Sequence, residues 1–113
     1  MSFSLWVTVK HAPPYKSDFD IVDGQTYNLV PMWRACGLIP EDESTQWLEG
    51  KTCLEMQEAA SEALLDYVKH PEKYEALDPE NGWGNHQGFF DRGLFPFFKL
   101  VHQHPTGVIH WSG

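Results

Sequence analysis

Six histidines, two cysteines and sixteen carboxylates are the side chains of this chain that could hold a metal or move a proton. Their spacing builds no preformed centre. His102 and His104 are two apart near a predicted helix end and point to different faces, and His110 falls on a predicted strand. No His-x-x-x-His, Cys-x-x-Cys or His–Glu pattern occurs. The histidines therefore read as surface residues, with a site among His86, His102, His104 and His110 as the alternative, and no metal or cofactor is expected. Acid–base work has one loose pair, His86 and Asp91, five apart on a helix. There is no Gly-x-Ser-x-Gly elbow, no phosphate-cradling glycine loop and no Cys–His signature. No catalytic residue is assigned, and an enzyme ranks behind a binding protein.

Binding of a small ligand is the next chemistry the residues suggest. Thr26 and Asn28 lie just before one predicted helix. Asn81-Gly82-Trp83-Gly84 lies just before another, with His86 at its start. An indole held between two glycines suggests a loop shaped to place one ring. In one reading these residues are helix caps and turn makers. In the other, two helix starts converge, and their amides face a shared polar or anionic ligand with Asn28 and Trp83. Thr26, Asn28, Asn81, Trp83 and His86 are the candidate ligand residues.

The aromatic residues point to a partner surface. Trp6, Trp33, Trp47, Phe95 and Trp111 do not all fit one core, so some should form an exposed patch. Trp6 and Trp111 would share a sheet surface if the terminal strands pair. The net charge of −8 arises in residues 41–80, where twelve acids face three bases. An acidic chain is poorly suited to contacting phosphates, so nucleic acid is not an expected partner. The acidic region reads as a solvated face or as a surface for a basic partner, with Glu58 and Glu62 as candidates beside Trp6, Trp111 and Phe95. The leading expectation is a non-enzymatic binding module acting through an aromatic patch and an acidic helix face. The alternatives are a binder or enzyme for a small polar or anionic ligand between the Asn28 and Trp83 segments, and a homo-oligomer that buries its own tryptophans. Mimicry of nucleic acid by Glu55, Glu58, Glu62 and Asp66 is a narrower version of the first.

These residues need elements to position them. Phe3, Leu5, Val7 and Val9 alternate with polar neighbours, which is the period of a half-buried strand ended by Pro13-Pro14. Asp18 to Val22 reads as a second strand, antiparallel to the first, with Asp23-Gly24 as a turn pair. Asn28 is the expected N-cap of a first helix, with Pro31 in its first turn and Gly37 past its end. Residues 40–50 read as an acidic connector with a helical turn near Ser44 to Leu48. Thr52-Cys53-Leu54-Glu55 has the form of a capping box, and a second helix should run to about Lys69. Its wide apolar arc (Leu54, Met56, Ala60, Ala63, Leu64, Leu65, Tyr67 and Val68) predicts a central helix packed on two sides. A short helix over 71–77 follows. A third main helix from about Asn85 should bury Phe89, Phe90, Leu94, Phe97, Leu100 and Val101, be kinked by Pro96, and end at His104-Pro105. Val108 to Trp111 is the last strand, paired with the first. The fold class is α+β, a small antiparallel sheet of about three strands against three main helices.

At 113 residues the chain fits one domain, 1–113, with enough core to fold without staples. Cys36 and Cys53 read as small buried residues in a reducing compartment, no apolar run reaches a membrane span, and the N-terminus lacks signal-peptide character. A cytoplasmic protein is the expectation. Three segments, Thr26-Tyr27-Asn28 with Pro31-Met32, Asn81-Gly82-Trp83-Gly84, and His104-Pro105 with Val108, together resemble a family of small, mostly uncharacterised bacterial and actinobacteriophage proteins. Its pattern of a Thr-x-Asn…Met segment and a Pro-Glu-Asn-Gly-Trp-Gly loop is matched over nearly the whole chain. The resemblance implies a fold and a phage or prophage origin, and no activity. Family members often carry His where this chain has Tyr27.

Overall fold

A computed structural model describes residues 1–9 and 18–113, with side chains described for residues 1–9 and 22–113. The Pro13-Pro14 break lies outside the described residues. Strand β1 (Ser2–Val9) is central, flanked by β2 (Asp18–Thr26) and β3 (Gly107–Ser112), both antiparallel to it. Phe3, Leu5 and Val7 are buried on one face, as their alternation predicts. Helices α1 (Val30–Ala35), α2 (Cys53–Lys69), α3 (Pro71–Glu75), α4 (His86–Phe89) and α5 (Phe95–Gln103) complete the fold. The architecture is α+β, with the first and last strands paired.

Asp23-Gly24 does not end β2. The pairing shifts between Phe3↔Gln25 and Leu5↔Val22, so the dipeptide bulges opposite Ser4. Ser4 Oγ accepts from the Gly24 amide at 3.1 Å. The bulge has a structural consequence. Residues three apart on a regular strand face opposite sides, and one extra residue turns both inward. Val22 and Gln25 are accordingly both buried.

Gln25 meets Trp33, whose indole Nε1 donates to its Oε1 at 3.1 Å. Trp33 was expected among rings that overflow the core, yet it is fully buried at the centre. Phe3, Phe89 and Phe97 meet it edge-on at 5.6, 5.5 and 5.9 Å between centroids. This is the favourable quadrupole arrangement for rings, and it explains how the core absorbs so large a side chain.

Asn28 is not the cap of α1, whose N-cap is Leu29 without a side-chain bond; Thr26 caps the turn before it. Thr26 Oγ1 accepts from the Asn28 amide at 3.3 Å, and a 3₁₀ turn over Tyr27–Leu29 precedes α1. The hydroxyl reaches the orphan amide two residues on, and this places Asn28 inside the turn. Helix α2 begins at the predicted capping box, Thr52 N donating to Glu55 Oε1 at 2.8 Å and Glu55 N to Thr52 Oγ1 at 3.2 Å. Its buried face is narrower than expected: Cys53, Met56, Ala60 and Ala63 are inside, while Leu54, Leu65 and Val68 are exposed. The helix packs chiefly against α5, and also against α3, β3 and residues 90–94, while Leu54, Leu65 and Val68 face solvent. Both thiols are buried and free, and burial pushes Cys36 up to about 12 and Cys53 to about 11.

The predicted third helix divides around Pro96. A π-helical turn over Phe90–Leu94 joins α4 to α5, and the Phe95 amide reaches back to the Phe90 carbonyl. Widening the ladder just before a residue without an N–H avoids the clash a proline makes in a regular helix. The wider turn also buries Gly93, where a Cβ would stand 2.5 Å from Gln25 Oε1 and 3.0 Å from Trp33 Cζ2. Phe90 is half-buried, stacked on Tyr67 at 4.6 Å, and Phe95 stacks on it in turn at 5.8 Å.

Where α2 meets α3, Lys73 Nζ donates to Asp66 Oδ2 at 2.8 Å, and the buried Tyr74 hydroxyl donates to the same oxygen. Lys73 first and Tyr74 second hold the Asp66 carboxyl below its ordinary 3.8. The charged form is the one the fold favours. This stabilisation is therefore complete above the ordinary value and is lost as the pH falls through the lower folded value. Asp66→Asn is expected to lower Tm at pH 7. The gap to wild type should close in thermal melts as the pH falls below the ordinary 3.8 through the lower folded value. A gap independent of pH would contradict the assignment. Tyr74→Phe should cost about 1.5 kcal/mol at neutral pH, the value of a hydrogen bond to a charged group.

Candidate functional site

Thr26 ends β2, and the loop that follows α3 returns to it. Gly84 (φ +95) lies so near that an added Cβ would stand 2.9 Å from Thr26 Cγ2 and 3.2 Å from Leu29. A left-handed conformation and a close approach coincide at this one residue, which only glycine satisfies. Gly82 has a positive φ (76) but open space around it. Between the loop and the β2 end lies a cleft of about 300 Å³, lined chiefly by Gln25, Thr26, Gly84, Asn85, Gly88 and Arg92. Thr26 also borders a second hollow of about 380 Å³, with Met1, Tyr27, Asn28 and Trp83. Two segments more than fifty residues apart in sequence thus converge on one open region.

Of the ligand candidates, Thr26, Asn28 and Trp83 meet there. Trp83 is 72% exposed, so the flanking glycines present the ring to solvent and do not pin it into the core. Asn81 instead makes a local turn, its Oδ1 accepting from the Trp83 amide at 2.9 Å. His86 is drawn to Asp78, not to Asp91. Its Nδ1 is 2.9 Å from both Asp78 carboxylate oxygens and its amide donates to Oδ1 at 2.7 Å. Neither Asn81 nor His86 lines the two hollows.

The free amides expected at two helix starts are largely engaged. Asn28 N bonds Thr26, His86 N bonds Asp78, and Gly88 N bonds Asn85 Oδ1 at 2.8 Å. The positive charge at the cleft comes from Arg92, which makes no ion pair or hydrogen bond with any described residue. Arg92 and Gln25 were missed as site residues. Arg92's only sequence signal is being one of two bases in residues 81–113, and Gln25 is turned inward by a bulge no spacing rule predicts.

The expected partner surface moves. Trp6 pairs with His110, while Trp111 pairs with Leu5, so the two indoles lie on opposite faces of the sheet. Cross-strand partners share a face, and Leu5 faces the core. Trp111 accordingly packs half-buried, its Nε1 donating to Thr45 Oγ1 at 2.8 Å, and Trp6 stacks on the His110 ring at 5.7 Å. The exposed apolar surface lies on α2 instead. Leu54, Leu65 and Val68 are 65%, 53% and 63% exposed, and the last two line an almost wholly apolar groove with Ser61, Leu64 and Phe98. Glu58 and Glu62 are exposed beside them and bond no described residue. Glu55 is engaged by the capping box and Asp66 by Lys73 and Tyr74, so two of the four acids read as possible phosphate mimics are bonded internally. Phe95 is exposed on α5, with Lys99 Nζ 5.4 Å from its centroid.

Ser61 Oγ and His102 Nε2 are 3.0 Å apart across α2 and α5, a pair the sequence did not suggest. Among the described residues no carboxylate orients His102, so the third member of a catalytic triad is missing. No group of three or more His, Cys, Asp or Glu among the described residues could hold a metal ion, and no described helix is long and apolar enough to cross a membrane.

The Gly84 geometry has a direct test. Gly84→Ala combines backbone strain with a clash and should cost about 2–3 kcal/mol, while Gly82→Ala, strained alone, should cost about 1 kcal/mol. Chemical denaturation measures both, and equal losses would contradict the close approach at Thr26. No protein-family model, curated protein or solved structure matches the chain.

Proposed function

We propose that this protein is a non-enzymatic binding module whose partner docks on the α2–α5 face. The observation that carries this reading is the apolar groove of Leu64, Leu65, Val68 and Phe98 beside the unengaged carboxylates of Glu58 and Glu62. Contiguous exposed apolar area is unfavourable in water, and in soluble proteins it marks contact surfaces. The acidic rim selects the partner's charge. A basic amphipathic helix would set its apolar residues into the groove and its lysines or arginines against Glu58 and Glu62. A second copy of this chain would bring the same acids together, so self-association is disfavoured. The resemblance to phage proteins makes a host protein the first class of partner to test.

An amphipathic Leu/Lys helical peptide labelled for fluorescence anisotropy tests the reading, with a Leu/Glu peptide of equal hydrophobicity as its counterpart. The Leu/Lys peptide should bind, weaken with salt, and lose about tenfold in affinity to Leu65→Ser/Val68→Ser. Glu58→Lys/Glu62→Lys should invert the preference between the peptides. Equal binding of both peptides, or no effect of the leucine–valine double substitution, would remove this reading. Sedimentation over a concentration series should show a monomer.

A further inference from the structure

The cleft beside Thr26 has a different chemistry from the α2–α5 face. Gln25 is 3% exposed and lines it. The Trp33 indole N–H can only donate, so the amide oxygen must face Trp33. What Gln25 retains for a ligand is its amide NH2, a donor. Arg92 lines the same cleft, with Nη2 3.9 Å from where a Cβ on Gly88 would stand. The guanidinium thus lies over a residue with no side chain to obstruct it. Asp23 and Asp91 border a neighbouring hollow with Arg92, yet neither forms an ion pair with it. A cation left unpaired in a chain of net charge −8, next to a buried amide, offers an anion a fork of charged and neutral donors. Thr26 joins this polar cleft to the hollow bordered by Tyr27 and the exposed Trp83 ring. An indole presented to solvent offers a face on which a flat group can stack.

We infer that the two hollows form one site for a small ligand with a planar ring and a phosphate or carboxylate. The anionic group is bound by Arg92 and the Gln25 amide, and the ring stacks on Trp83. The partner surface on α2–α5 plays no part in this site.

The test is NMR titration of the full chain with the four ribonucleoside 5′-monophosphates and with indole-3-acetate, against adenosine and inorganic phosphate as fragments. At least one ring-bearing anion should bind with Kd of about 1 mM or tighter, about tenfold better than either fragment, and shift the amides of Thr26, Gly84 and Gly88. Preference for the monophosphates over indole-3-acetate would assign phosphate as the anion, and the reverse would assign carboxylate. Arg92→Gln should weaken binding about tenfold, and Trp83→Ala should weaken it about fivefold or more; both side chains are exposed, and thermal melts would verify that each variant folds. Failure of all five probes to bind with Kd of about 1 mM or tighter, or affinity unchanged in either folded variant, would overturn the proposal.

Discussion

The hydrogen bond from Trp33 to Gln25 is the contact on which the arrangement of this molecule depends. A buried indole N–H without an acceptor costs more than a typical hydrogen bond contributes, so burying Trp33 requires an oxygen inside the core. Gln25 supplies it only because the Asp23-Gly24 bulge turns two residues of β2 inward. The three phenylalanines that meet Trp33 edge-on then bring β1, α4 and α5 onto one centre. Gly93 completes the arrangement, because any larger residue would collide with the bonded pair.

The same constraint shapes the cleft. With its oxygen committed to Trp33, Gln25 keeps only its amide NH2 as a donor for the cleft it lines. The π-helical turn that accommodates Pro96 holds Arg92 next to Gly93, so the residue that packs on the core pair and the residue that charges the cleft are consecutive. Core packing and the charge of the cleft are therefore coupled at this end of the molecule. The Asn28, His86 and Gly88 amides are engaged by Thr26, Asp78 and Asn85, so an anion at the cleft would rely on side-chain donors.

The opposite side of the molecule follows another logic. Helix α2 covers the core with small residues, Ala60 and Ala63, which let α5 approach closely. Its larger apolar residues, Leu54, Leu65 and Val68, point outward, and Glu58 and Glu62 between them bond no described residue. A helix with apolar residues around most of its circumference is expected to be enclosed, but no described residue covers Leu54, Leu65 and Val68. That mismatch between pattern and packing is what supports the proposed docking face.

Much of the local chemistry was legible in the sequence, although the Thr26 cap, the Asp23-Gly24 bulge and the π-helical turn were not. The strand alternation of β1, the Thr52–Glu55 capping box, the proline starts of α1 and α3, and the helix stop before Pro105 each depend on neighbours within a few residues. The α+β class and the pairing of the terminal strands followed from those elements. Tertiary structure alone decided the rest. Register set Trp6 and Trp111 on opposite faces, because a side chain's face in a sheet depends on its partner strand. A one-residue bulge buried Gln25, the absence of a covering element exposed α2, and Asp78 reached His86 across a loop. Each of these outcomes depends on distances between segments remote in the chain, which no local periodicity encodes.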